Sequence, residues 1–149
     1  MGRIIVGIDG SEEAQHALDW ALDEAKLRAA EVVVVHAHLP DTIDMYGMDG
    51  IINAERLQAY TDEFERQHRQ VVDDALERAG DRVESRAVTT KVERGWSPAH
   101  AIVEHSKGAE LVVVGTRGRG GFAGVLLGSV SQQVAHHAHC PVVIVGPPR

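Results

Sequence analysis

Four stretches of this chain are apolar with little or no alternation, and that limits the fold more than any other feature of the sequence. They are Arg3 to Asp9 (RIIVGID), Glu31 to His36 (EVVVVH), Leu111 to Val114 and Val142 to Val145. A strand with one face in water alternates apolar and polar residues. A continuous, largely β-branched run suits a strand covered on both faces, as in a parallel sheet. The segments between the runs have a helical period. Ala14, Ala17, Leu18, Ala21, Leu22 and Ala25 recur at steps of three and four, with Glu12, Glu13, Asp19, Asp23 and Glu24 on other faces.

Local signals mark where the helices begin and end. Ser11 follows Gly10 where an N-cap would satisfy free backbone N–H groups. A second helix carries the stripe Leu57, Phe64, Val71, Val72, Ala75, Leu76 and Ala79 and stops near Gly80. Ser97 and Pro98 open a third, whose inner face is Ala101, Ile102 and His105; Ser129 to His136 forms the last. Val83 to Val92 is polar and partly alternating, which suits an edge strand. Pro40 to Gly50 has turn residues, three acids and no period, so a long loop is expected there. The order is β-α-β-α-β-α-β-loop-α-β, which predicts an α/β domain over residues 1–149, with a parallel sheet, right-handed crossovers and helices on both faces. There is no internal repeat.

Charge is unevenly spread. The chain carries 15 Lys+Arg against 22 Asp+Glu, a formal net of −7, yet residues 111–149 hold three bases and no acid. The negative total argues against a nucleic-acid partner, whose affinity for proteins comes largely from neutralised phosphates. A small anion is therefore expected in the acid-free tail. The single cysteine, Cys140, excludes an intrachain disulfide framework. No apolar run approaches the roughly 20 residues of a membrane-spanning helix. Met1-Gly2-Arg3-Ile4 has neither a signal peptide's apolar stretch nor a myristoylation pattern. A cytoplasmic location with no membrane partner is the expectation.

The tail also contains five glycines in the thirteen residues after Gly115: Gly118, Gly120, Gly121, Gly124 and Gly128. Glycines let backbone N–H groups approach a ligand, and a helix N-terminus adds unpaired donors and the positive end of a dipole. The helix opened by Gly128-Ser129-Val130-Ser131 could thus offer N–H groups and the hydroxyls of Ser129 and Ser131 to a phosphate chain, with Arg117 and Arg119 reinforcing the sign. The common phosphate motifs do not fit. No lysine follows Lys107, which excludes a P-loop. Gly118-Arg-Gly120-Gly-Phe-Ala123 matches a dinucleotide fingerprint only in letters, since it follows the fourth strand rather than the first. A kinase loop lacks its lysine and paired metal-binding residues.

Gly115-x-x-Gly118, nine residues, then Gly128-Ser129 resembles the ATP-binding signature of the universal stress protein family. Val6-Gly-Ile-Asp-Gly-Ser11, the valine run ending in His36, Gly95-x-Ser-Pro-Ala99 and Cys140-Pro-Val-Val-Ile-Val145 are similar to its other landmarks. The resemblance implies an open five-stranded parallel sheet in the order 3-2-1-4-5, of the adenine nucleotide alpha hydrolase-like kind. The nucleotide would lie at the carboxyl ends of strands one and four. It implies ATP, with or without Mg²⁺, as ligand. Asp9 would meet the ribose near any phosphate-bound metal, and Ile8 and Ala37 would line the adenine slot. Val114 and Gly115 would face the ribose, Arg117 and Gly118 the phosphates, and Gly128, Ser129, Val130 and Ser131 the phosphate tail. It further implies a homodimer through Val142 to Val145, an apolar strand at a sheet edge.

Each of these residues has a plainer role beside it. Asp9 before Gly10-Ser11 is also a turn former, and the glycines could be a lid without ligand. His36 and His38 flank the adenine slot as walls or as packing. His136-His137-Ala138-His139-Cys140 holds ligand types for zinc, but adjacent histidines at a helix end diverge. Cys140 suits a small buried position better than a nucleophile. Trp20 and Trp96 are too isolated for a stacking platform. Binding is better supported than turnover, because no residue of the site is an obvious base for an attacking water. A slow ATPase, an interaction or chaperone-like dimer with incidental nucleotide, and AMP or cyclic AMP as the ligand are the alternatives.

Overall fold

The computed structural model describes residues 1–39, 54–84, 87–117 and 127–147. The expected loop from Asp41 to Gly50, and Gly118, Arg119, Gly120, Gly121 and Gly124, lie outside them. Five strands, β1 (Arg3–Gly7), β2 (Glu31–His38), β3 (Val88–Arg94), β4 (Leu111–Gly115) and β5 (Val142–Val145), form one sheet. Their order is β3-β2-β1-β4-β5 and every pairing is parallel. The described helices are α1 (Glu12–Arg28), α2 (Ala54–Ala79), α3 (Asp81–Glu84), α4 (Pro98–His105) and α5 (Ser129–His137).

The unbroken apolar runs have the expected cause. Ile4, Ile5 and Val6 of the central strand are all fully enclosed. Ile4 and Val6 pack with Val32, Val34 and the Ala17, Leu18, Ala21 and Leu22 face of α1, and Val72, Ala75 and Ala79 of α2 close that side. Ile5 points the other way, to Val33, Val35 and Val112, under Ala101 and Ile102 of α4 and Val134 of α5. Successive side chains on a strand face opposite ways, so one run of valine and isoleucine feeds two cores.

The helix starts follow their local signals. Ser11 accepts the Ala14 N–H at 3.1 Å and Ser97 accepts the His100 N–H at 3.3 Å, with Pro98 in the first turn of α4. Gly80 has φ +58° and donates toward Leu76 and Glu77, ending α2 in the left-handed region. A polar residue, Gln15, sits in the seam between α1 and α2, where its amide donates to Asp19 and to the Ala75 carbonyl, both at 3.1 Å.

Two element boundaries and the burial of one helix face differ from expectation in ways that matter here. β2 continues two residues past His36, because His36 and His38 remain buried against α2. Val83 belongs to α3 rather than to a strand: the positive-φ turn at Gly80 restarts a helical turn, with the Val83 N–H on the Gly80 carbonyl at 3.0 Å, so β3 begins only at Val88. The apolar stripe of α2 is also buried unevenly. Val72, Ala75 and Ala79 reach the core, whereas Leu57 is 38% exposed.

Ala29 closes α1 at φ 52° and ψ 40°, its N–H on the Ala25 carbonyl. The left-handed conformation strains a Cβ by about 1–2 kcal/mol, and glycine's greater freedom in the unfolded chain takes back part of that. Ala29→Gly is therefore expected to stabilise the protein by about 0.5–1 kcal/mol in urea unfolding; equal or lower stability would contradict this account of the cap.

Candidate functional site

Strand order reverses at β1. Its neighbours β2 and β4 lead away on opposite sides, and the chain leaves β1 and β4 toward different partners. The carboxyl end of such a reversal is a crevice by construction. Here it is a cleft of about 290 Å³. Nine of the eleven sequence-predicted residues line it: Ile8 and Asp9 beyond β1, Val114, Gly115 and Arg117 at the end of β4, and Gly128, Ser129, Val130 and Ser131 at the start of α5. Ala37 is not among them. It is 6% exposed in β2 and packs into the core beneath α4. Gly118 lies outside the described residues.

Asp9 performs the turn-forming role and lines the cleft as well. Its Oδ1 accepts the Ser11 N–H at 2.9 Å across Gly10, which has φ +86°. The same carboxylate therefore holds the β1-to-α1 reversal in shape and faces the cleft.

The exit of β4 is fastened by a residue that sequence reasoning did not single out. Glu13, in the first turn of α1, accepts the Arg117 N–H at 2.6 Å and the Thr116 hydroxyl at 3.0 Å. Its other oxygen lies 3.4 Å from the Arg117 guanidinium. The tail that is free of acids in sequence is not free of them in space. Only the pairing of β1 with β4 puts the first turn of α1 beside this loop, and no local signal encodes that pairing. Gly115 serves the same approach: a Cβ there would stand 3.1 Å from the Glu13 backbone carbonyl.

At the start of α5 the Gly128 N–H donates to the Thr116 carbonyl at 2.7 Å, tying the helix to β4. The Ser131 hydroxyl lies 2.8 Å from the Thr116 carbonyl and 3.0 Å from that of Gly128, so its single proton is committed to the protein. Ser129 stays exposed at the cleft. α1 and α4 are each capped by a serine oxygen, but α5 begins on Gly128 with no side-chain cap. The first-turn N–H groups of a helix have no partner within it. These donors, with the dipole's positive end, face the cleft.

Cys140 is half-buried, and burial pushes its thiol up, away from the reactive thiolate. His136, His137 and His139 are exposed, and among the described residues no three His, Cys, Asp or Glu side chains are arranged to hold a metal ion. Among the described residues no helix is long and apolar enough to cross a membrane. Four further residues, Ser11, Ala14, Pro98 and Ile102, complete the cleft walls with Gly7 of β1.

Comparison with known proteins agrees with the fold. The universal stress protein family model matches residues 1–146. Universal stress protein Rv2623 of Mycobacterium tuberculosis is 38% identical over 149 residues, covering 95% of this chain and 46% of its own length. Universal stress protein YxiE of Bacillus subtilis is 32% identical over 148 residues, covering 96% and 97% respectively. A universal stress protein crystallised in complex with cAMP superposes with a TM-score of 0.68 at 26% identity, over 99% of this chain and 98% of that one. The chain spans about half the length of the mycobacterial relatives it matches. Its sheet, in the order β3-β2-β1-β4-β5 with helices on both faces, is the open five-stranded parallel fold that the resemblance implied, and the cAMP-bound neighbour shares the overall fold. By sequence over nearly its whole length and by architecture, this chain belongs to the universal stress protein family.

Proposed function

We propose that the chain binds an adenine nucleotide, with ATP as the first candidate, in the cleft at the β1/β4 reversal. In this reading it serves as a cytoplasmic, nucleotide-responsive stress or regulatory protein rather than a turnover enzyme. The observation that carries the reading is the uncapped start of α5 at Gly128. Two helices of this chain supply their own cap oxygen, and the one whose N-terminus opens on the cleft does not. An incoming phosphate oxygen is the natural acceptor for such donors. Val114 and Gly115 would flank the ribose, with Asp9 as its acceptor, and Ile8 would border the base. Gly118 retains its assignment to the phosphates by resemblance alone, and Ala37 would act only from behind the cleft wall. The cyclic-AMP complex of a relative supports an adenine ligand.

The donor set suits a phosphate chain and does not suit a resident metal. Mg²⁺ keeps several waters and is commonly held through substrate phosphates, so here it would arrive on the nucleotide, with Asp9 nearby. The described cleft also holds no residue with an evident claim to be a general base, which favours binding over hydrolysis.

Calorimetry with ATP, AMP and cyclic AMP, with and without Mg²⁺, tests this directly. Absence of binding by all three at millimolar concentration overturns it. Gly128 has φ −71° and ψ 170°, which any residue adopts. Gly128→Asp would therefore cap α5 with the protein's own oxygen at no backbone cost. Nucleotide affinity is expected to fall at least about tenfold while thermal stability holds or rises by a few tenths of a kcal/mol, roughly 0.3. Unchanged affinity would remove the uncapped helix from the argument.

Asp9→Asn keeps an acceptor for the Ser11 N–H and discards the charge. Because hydrogen bonds to charged groups are stronger than neutral ones by about 1 kcal/mol or more, nucleotide affinity is expected to drop about five- to tenfold, with stability falling by no more than about 1 kcal/mol as the Ser11 N–H bond becomes a neutral one. A midpoint that falls while affinity holds would leave Asp9 with the turn alone.

We also propose the homodimer through Val142 to Val145. β5 is an edge strand whose four residues remain half-buried under α1 and α5, leaving one backbone edge for a second copy. Sedimentation equilibrium at micromolar protein is expected to return twice the chain mass, and a monomer there would refute it.

A further inference from the structure

Three imidazoles meet beside the cleft, and one of them, His68, was not visible as a partner in the sequence. His36 and His38 sit two apart on β2 and so share the face that α2 covers; they are 5% and 7% exposed. His68 of α2 lies on His38 face to face, with ring centroids 3.7 Å apart and planes 4° from parallel. It also meets His36, with His36 Nε2 and His68 Nδ1 2.7 Å apart. Phe64, one turn earlier on α2, stands edge-on to both His38 and His68, at 5.3 and 4.7 Å.

The proton positions follow from the partners. His36 Nδ1 is 2.9 Å from the Ile8 carbonyl, which can only accept, so Nδ1 carries the hydrogen. A neutral His36 then offers Nε2 as an acceptor, and His68 Nδ1 must donate to it. The chain His68 to His36 to Ile8 ends on a residue of the cleft wall. Among the described residues, neither ring nitrogen of His38 has a hydrogen-bond partner.

This arrangement suits neutral rings and tolerates charge poorly. A proton on His36 makes Nε2 a donor, which forces His68 to change tautomer. A charge on His38 or His68 lies flat against another imidazole at 3.7 Å. Among the described residues no carboxylate is hydrogen-bonded to any of the three. Burial holds His68 down to about 4, with His38 and His36 adding to the effect. Burial also lowers His38, against the opposing pull of the Leu39 backbone and of Glu65 on α2; His36 and Arg94 of β3 push it further down.

We infer that the three rings form a pH-sensitive clamp. Neutral, they fasten the His68 stretch of α2 onto the end of β2 and, through the Ile8 carbonyl, fix the cleft wall; on taking up protons they part, α2 loosens there, and nucleotide binding weakens. The last clause rests on the nucleotide reading of the cleft, and the first two do not. Freed from the stack, the His68 ring would titrate near 6.5, the ordinary histidine value, whereas burial in the stack holds it down to about 4, so the open form binds more protons at every pH between the two. Closure is therefore complete above pH 6.5 and lost progressively as pH falls through that window.

Amide hydrogen exchange, histidine-ring NMR and ATP calorimetry at pH 7.5 and pH 5.5 test the clamp. In the wild type, exchange around Phe64 to Val72, corrected for intrinsic rates, is expected to rise at the lower pH. ATP affinity is expected to fall about tenfold, the effect of one pKa unit. His68→Phe keeps a ring in the stack and removes the titration, and His68→Gln keeps a donor for His36. Either should bind ATP at pH 7.5 and lose most of the wild type's pH dependence. ATP's own titration is common to all three proteins and cancels in the comparison. The clamp is overturned if the His68 ring titrates near 6.5, if exchange in α2 ignores pH, or if both variants keep the wild-type slope. If nothing binds at pH 7.5, the nucleotide reading falls alone, and the exchange and NMR arms still decide the clamp.

Discussion

Everything in this molecule is arranged around β1, a strand with protein on both faces and both edges. Its Ile4, Ile5 and Val6 are fully enclosed, and its partners β2 and β4 run parallel to it. Because those neighbours continue the sheet in opposite directions, the chain leaving β1 has no strand beyond it to cover. It must turn through Asp9-Gly10-Ser11 into α1, and the gap that results is the cleft. The site is thus a by-product of topology that a few residues then furnish with chemistry.

That division explains what could be read from the sequence. The strands, the serine caps of α1 and α4, and the glycine that ends α2 are governed by neighbours a few residues away, so their signals are local. The residues gathered at the cleft were legible because their motif resembles a family pattern. Glu13 was not, since its contacts with Thr116 and Arg117 span more than a hundred residues and exist only because β1 pairs with β4. His68 was hidden in the same way: its spacing along α2 says nothing of the two histidines across from it on β2. The start of β3 was misplaced because an apolar valine at position 83 serves a helical turn and not a strand.

Charge tells a similar story. By sequence the last part of the chain is free of acids, and a cluster of donors for an anion follows from that. In space, Glu13 of α1 holds the exit of β4 and Asp9, just beyond β1, lines the same cleft. The cleft is therefore not simply electropositive. Its donors among the described residues are backbone N–H groups at the start of α5, directional and fixed, with the Arg117 guanidinium already engaged by a carboxylate. Selectivity in such a site comes from geometry more than from net charge, which a chain of formal charge −7 can afford.

Beginning α5 on glycine also has a consequence for how such a site persists through inheritance. Glycine is only a few tenths of a kcal/mol worse than serine, asparagine or aspartate at an N-cap. Folding by itself therefore barely penalises Gly128, and it barely rewards its replacement. A drift to serine or aspartate would leave a sound protein whose helix is satisfied from within and closed to any anion. The position is nearly silent to selection for stability, so lineages that keep glycine there and lineages that fill it would separate by ligand use rather than by robustness of the fold.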